Sequence, residues 1–363
     1  MKFIDEFRQG NVARHFVKTI RELVDGREMT FMEVCGTHTM AIARHGIREL
    51  LPEQLILISG PGCPVCVTSN QTLDRAIALS RRSDVIVATF GDMMKVPGSS
   101  SSLDLEHARG ADIRVVASTL EALSIAAHER EKKVVFIGIG FETTVPTVAA
   151  SLIEARNRSV LNYFVLSAHK VMPPAMELLS RGDVRIDGYL CPGHVSAIIG
   201  SRPYEPLVQK YGIGCVIGGF EPLDILQSIQ MLVEQINHDD PKVEIQYSRV
   251  VKKEGNPKAQ EIIDKVFEVC DSHWRGLGEV KESGLKIRES FSEWDAEIQI
   301  PIEVEPTHEP EGCLCGQVLQ GRVSPSDCRH FGTTCTPGDP VGPCMVSSEG
   351  TCAAFFKYHH IIK

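Results

Sequence analysis

Six of the twelve cysteines in this 363-residue chain fall in one stretch, at Cys313, Cys315, Cys328, Cys335, Cys344 and Cys352. Six thiols interleaved with glycine and proline exceed what a packed core uses. Four of them suffice to hold a [4Fe–4S] cluster, which leaves two as a pair. Tetrahedral zinc is the competing metal, but six sulfurs at irregular spacing suit a cluster plus a thiol pair better.

A second cysteine motif is Gly60-Pro61-Gly62-Cys63-Pro64-Val65-Cys66. The two-residue gap lets Cys63 and Cys66 close a small disulfide or share a metal, and the glycines and proline make the approach tight. No second CxxC follows at zinc spacing, so redox use outweighs a zinc half-site. Cys35, in Cys35-Gly36-Thr37-His38-Thr39, has polar neighbours that favour the metal-binding thiolate; the alternative is a small buried hydrophobe, and the motif alone leaves the two even. His194, in Cys191-Pro192-Gly193-His194, is a ligand, a proton carrier or a helix-start residue. Glu142, in Gly140-Phe141-Glu142-Thr143-Thr144, and Glu221, before Pro222, read most simply as parts of helix starts.

These motifs need elements to carry them. From residue 30 to about 235, β-branched runs alternate with amphipathic segments, the pattern of an α/β fold with parallel sheets. Expected strands are Thr30–Val34, Leu55–Ser59, Asp84–Thr89, Ile113–Ala117, Lys133–Ile139, Tyr163–Leu166, Ile186–Leu190 and Cys215–Ile217. Expected helices include Asn70–Arg81, Thr119–Arg130, Thr144–Arg156, Pro222–Gln235 and Pro257–Cys270. Most of the motifs fall just after a strand, where ligands bind in open α/β sheets, so one shared cleft is expected. The expected division is 1–118 and 119–239 as two α/β domains, with 240–363 as a helix plus a Cys-rich iron–sulfur domain. The tail, roughly Gly312–Cys352, has little apolar content, so a metal cluster is expected to hold it together. The acidic stretch Ile300–Pro310 has no assigned place.

Composition bounds the function. Apolar residues make up 43% and charged residues 23%, ordinary for a globular chain and unlike a disordered or fibrous one. A net charge of −9 argues against a nucleic-acid partner. No apolar run is long enough for a membrane span or a signal peptide, so the expectation is a cytoplasmic protein, where thiols stay reduced and cysteines serve metals or redox chemistry.

Taken together, CGTHT at 35–39, GPGCPVC at 60–66, GFETT at 140–144, CPGHVS at 191–196, GGFEP at 218–222 and CMVSSEGTC at 344–352 resemble the hydrogenase maturation family HypD along nearly the whole chain. The resemblance implies two α/β domains facing a cleft and a third domain with a [4Fe–4S] cluster, similar to the cluster region of ferredoxin:thioredoxin reductase. It implies a scaffold for [NiFe]-hydrogenase maturation that works with HypC and holds an iron receiving two cyanides and a carbon monoxide. The cyanide comes from HypE, and the Fe(CN)2CO unit passes to the hydrogenase large subunit. Cys35 is then the iron ligand, Cys63 and Cys66 a thiol pair, and His194 and Glu142 site residues. Order-matching to the reductase gives Cys313, Cys328, Cys335 and Cys344 as cluster ligands and Cys315 with Cys352 as a redox pair; exchanging Cys344 and Cys352 is the alternative. One rival reading is an iron–sulfur disulfide reductase acting on a partner protein, which has no use for Cys35. Another is a zinc-binding interaction protein.

Overall fold

The computed structural model describes residues 8–358. Eleven strands lie among them: β1 Met29–Glu33, β2 Leu55–Ser59, β3 Val85–Thr89, β4 Ile113–Val115, β5 Lys133–Gly138, β6 Tyr163–Ser167, β7 Gly188–Pro192, β8 Gly214–Gly218, β9 Val243–Ile245, β10 Phe267–Trp274 and β11 Gly278–Ile287. They form two parallel sheets, ordered β2-β1-β7-β8-β9 and β4-β3-β5-β6, and an antiparallel hairpin, β10-β11. The fold is α/β, as the alternation of runs predicts.

The sheets are not divided at residue 118. Strands β4 and β5, on either side of it, belong to one sheet, in which β3 pairs β4 on one edge and β5 on the other. The first sheet takes β1 and β2 from before that sheet and β7 to β9 from after it, with Phe31 opposite Gly188. Side-chain alternation explains why the chain can cross over twice. Met29 and Phe31 of β1 point to a core under the helices Gly10–Val24 and Pro222–Asn237, whereas Met32 and Val34 point to a core shared with Val87, Val135 and Ile137 of the second sheet. The other face of the second sheet is covered by the helices Thr119–His128 and Val145–Asn157 and by Phe267 and Leu285 of the hairpin.

The helix expected over 257–270 ends at Val266, and the chain turns into β10. Its sequence, FEVCDSHW, alternates half-buried and exposed positions between the buried Phe267 and Trp274, with an irregularity in register against β11 between Cys270 and Ser272. Period two overrides helix propensity there because one face of the hairpin packs on the second sheet. The stretch 300–310 is an irregular strap along the helix Asn70–Ser80: Thr307 Oγ1 donates to Asp74 Oδ2 at 3.0 Å, and Asn70 Nδ2 to the His308 carbonyl at 2.6 Å.

Each sheet has a point where the chain reverses its direction of growth, between β1 and β7 in the first and between β3 and β5 in the second. Crevices open beyond the carboxyl ends of strands at such points. Cys35 and His194 follow β1 and β7, and Asp92 and Glu142 follow β3 and β5.

Candidate functional site

Cys35 stands at the N-cap of the helix Gly36–Arg44, immediately beyond β1, and is 8% exposed. The loop after β2 packs flat on it: the Gly36 amide donates to the Gly62 carbonyl at 3.0 Å, and a Cβ on Gly62 would run into the Cys35 backbone. That close approach is the reason for glycine in the GPGC turn. Beneath the loop, the wholly buried Glu33 accepts from the Cys35 amide (3.2 Å) and from Thr39 Oγ1 (2.6 Å). Burial pushes the Glu33 carboxyl up to about 7.

The Cys35 thiol is pushed up to about 12, first by burial and then by the nearby Glu349 carboxylate; the amides of His38 and Thr37 pull the other way. The neighbouring amides do favour thiolate, as the sequence suggests, but not enough by themselves. Desolvation outweighs the helix-start amides, so the sulfur ionises when a cation arrives to compensate the charge.

His38 donates from Nε2 to the Gly219 carbonyl at 2.9 Å, and its buried Nδ1 has no partner among the described residues. Burial holds this imidazole neutral, at about 4. Its ring lies 5.0 Å from Phe220, and the solvent-exposed His194 stacks on the same Phe220 at 4.0 Å. The CGTHT, CPGH and GGFEP motifs thus converge. Glu221 is a cap, as expected: it and Asp224 form a reciprocal capping box on the helix Pro222–Asn237.

Glu142 lies at the second sheet's reversal point and is 4% exposed. It does not cap the helix of its own segment. Oε1 accepts from the Met172 amide at 3.1 Å, at the start of the helix Met172–Ser180, while Oε2 is buried without a partner among the described residues, and burial pushes the carboxyl up to about 7.

The Cys-rich tail touches both reversal points. Thr37 Oγ1 donates to Glu349 Oε1 at 2.8 Å, and Ser347 Oγ to Asp92 Oδ2 at 3.3 Å. Sequence reasoning nominated none of Glu33, His38, Asp92 or Glu349 as a site residue. A carboxyl inside the apolar run of β1 was the available signal for Glu33, and membership of the CGTHT and CMVSSEGTC motifs was the signal for His38 and Glu349.

Cys63 and Cys66 are joined as a disulfide with Cα atoms 5.2 Å apart, Cys63 capping the short helix Pro64–Val67, and both are buried. Cys66 Sγ lies 4.0 Å from the Pro343 carbonyl, one residue before Cys344. In the tail, the thiol of Cys344 faces those of Cys315 and Cys352, and Cys313 faces Cys315. Cys315 and Cys344 both donate to Cys352 and pull its thiol down to about 5. Cys335 Sγ accepts from the Val341 amide at 3.3 Å and feels the charges of Cys313 and Cys315. Cys328 stands apart, with Sγ 3.8 Å from the Gly312 carbonyl.

Among the described residues, no three His, Cys, Asp or Glu side chains are disposed around a common point as metal ligands. The donor set nevertheless fits a cluster in kind: soft sulfurs gather in one place, and Gly342 keeps it open, since a Cβ there would lie 2.6 Å from Cys313 Sγ and 2.7 Å from Cys315 Sγ.

Comparison with known proteins places this geometry. The HypD family model, described as the hydrogenase formation hypA family, matches residues 11–359. The chain is 46% identical to the hydrogenase maturation factor HypD of Cupriavidus necator, covering 99% of this chain and 97% of that one. It is 46% identical to HypD of Rhizobium leguminosarum bv. viciae, over 99% and 96%, and 42% identical to HypD of Rhodobacter capsulatus, over 99% and 98%.

Proposed function

Because the chain belongs to the HypD family of hydrogenase maturation factors, we propose that it is a cytoplasmic scaffold on which, together with HypC, the Fe(CN)2CO unit of [NiFe]-hydrogenase is assembled. The observation that carries this reading is the setting of Cys35: one buried sulfur at the first sheet's reversal point, held from below by Glu33 and bordered by His38 and Glu349. Such a sulfur suits an iron bearing cyanide and carbonyl ligands, because soft thiolate matches low-spin iron. The cargo iron binds in the cleft between the two reversal points, with a HypC cysteine as the second ligand. HypE delivers cyanide, and the finished unit passes to the large subunit. His194 stands exposed at the rim, where a partner reaches it, and Glu142 lies deeper.

A [4Fe–4S] cluster in the tail supplies one-electron reducing capacity when bound. Cys315 faces both Cys344 and Cys352, and it is the closeness of Pro343 to Cys66 that favours the exchanged assignment: Cys313, Cys328, Cys335 and Cys352 as ligands, Cys315 and Cys344 as the thiol pair. Cys328 must then swing toward the other sulfurs as metal binds. The pair can reduce Cys63–Cys66 by exchange: the Cys344 thiolate attacks one sulfur, and Cys315 resolves the mixed disulfide. Two electrons and two protons move from one pair to the other. Burial of Cys63 and Cys66, at 3% and 0% exposure, keeps a partner protein's thiols away and speaks against the disulfide-reductase reading.

The test is anaerobic co-purification with HypC followed by infrared spectroscopy. The wild-type complex is expected to show cyanide and carbonyl stretches. Cys35→Ser should fold, stay brown from its cluster and lack those bands, since a hydroxyl is a poor soft ligand. Retention of the bands at wild-type intensity would place the iron elsewhere.

A further inference from the structure

The hairpin β10-β11, which the site described above leaves unused, sends one cation into the space between the two thiol centres. Arg275 is 3% exposed. Its backbone amide donates to the Val67 carbonyl at 2.9 Å, at the end of the helix that carries Cys66. Its guanidinium donates from Nε to the Thr68 carbonyl at 3.1 Å, from Nη2 to Asn70 Oδ1, and from Nη1 to Glu309 Oε2 at 3.0 Å. Gly276, with φ +81°, lies so close to Gly316 that a Cβ there would sit 2.6 Å from the Gly316 Cα. Residues 275–276 are thus wedged between the CxxC segment and the start of the helix Cys315–Leu319.

We propose that Arg275 is a positioning residue that locks the Cys63–Cys66 segment against the tail cysteines and makes both centres easier to reduce. The proposal rests on the redox reading above. Three oxygens share the guanidinium, and two of them are neutral, so among the described residues Glu309 alone pairs with its charge. The Glu309 side chain is 57% exposed, where water screens it, while the guanidinium is buried and acts at low dielectric. A net positive field therefore reaches the sulfurs. Reducing a disulfide adds two electrons and two protons and yields groups that can carry negative charge. A fixed cation beside them stabilises the reduced state.

The geometry gives two charge changes of opposite sign at one ion pair. Arg275→Gln removes the cation and should lower the equilibrium constant for reduction of Cys63–Cys66 by about tenfold, which is about 30 mV for a two-electron couple. Glu309→Gln removes the exposed counter-charge and should raise that constant several-fold. Arg275→Lys keeps the charge and should stay nearer wild type than Arg275→Gln. The readout is thiol trapping of the full chain equilibrated in graded dithiol/disulfide buffers, with cluster potential measured alongside on the anaerobic holoprotein. A merely structural arginine would make Glu309→Gln and Arg275→Gln shift the same way, or would leave Glu309→Gln without effect, and either result overturns the proposal. If Arg275→Gln fails to fold, Glu309→Gln decides alone, being a change at a largely exposed side chain. A wild-type chain that holds no iron or sulfide would defeat the cluster reading, yet the Cys63–Cys66 titration would still judge Arg275.

Discussion

Replacing Gly342 by alanine should close the space that the tail sulfurs share. Gly342 has extended backbone angles, φ −134° and ψ 159°, which alanine adopts without strain. Reduced freedom of the unfolded chain would then favour the variant by about 0.4–1 kcal/mol. Against this stands the new methyl, 2.6 Å from Cys313 Sγ and 2.7 Å from Cys315 Sγ, about 1 Å inside ordinary contact. Overpacking on that scale costs about 1–3 kcal/mol when the neighbours cannot move. In the metal-free chain the thiols can rotate away, so apo stability should change by less than about 1 kcal/mol. Where Cys313 ligates a cluster, as proposed above, that escape is lost and the full cost falls on the cluster, lowering its retention about fivefold to about a hundredfold. The assay is iron and sulfide per chain after anaerobic reconstitution, with thermal unfolding of the apo and holo forms. Gly338→Ala is the control, because its Cβ would meet only Thr336 Oγ1 at 3.8 Å. Full cluster content and an unchanged holo melting temperature in Gly342→Ala would refute the reasoning.

Other expectations follow from the same geometry. Glu142 titrates at about 7 in the fold against 4.5 for its ordinary value, so its contribution to stability is fully present below the ordinary value and is lost as pH rises to about 7. Glu142→Gln, which can still accept from the Met172 amide, should be more stable than wild type above neutrality, by at most about 3 kcal/mol, and should lose that advantage in acid. Urea unfolding of both proteins at about pH 5 and about pH 8 measures the difference, and equal gaps at the two pH values would count against it. The tail should open selectively without metal, since cluster binding contributes folding free energy there. Limited proteolysis that cuts apo and holo chains equally around Gly312–Cys352 would contradict this.

The sequence was most legible where structure is local. Strands β1 to β8 announced themselves as β-branched runs because parallel strands are buried on both faces, as all five residues of Val85–Thr89 are. Strand β9 was missed because none of its three residues is fully buried, and β11 because a half-buried strand reading GEVKESGLKI carries little apolar signal. The division into sheets was hidden for a different reason. Whether β3 pairs with its predecessors or with β5 depends on contacts that no local window contains. The placing of motifs at strand ends succeeded, because glycine-rich turns after strands have a fixed geometric meaning. Order along the chain does not by itself choose the partner of Cys315, since both Cys344 and Cys352 face it, across a loop whose path depends on Gly342.

The interleaving of the two sheets also orders events in time. The second sheet is drawn from one continuous run, Val85–Ser167, and can close as soon as that run has left the ribosome. The first sheet has to wait, because β1 has no neighbour on its second edge until Gly188–Pro192 arrives. Such long-range pairing is slow, since the loop must close before any contact rewards it. The surroundings of Cys35 are completed later still, when Glu349 reaches Thr37 after every strand of the first sheet has been made. A nascent chain therefore holds Cys35 in unfinished surroundings until the tail has folded back onto the first sheet.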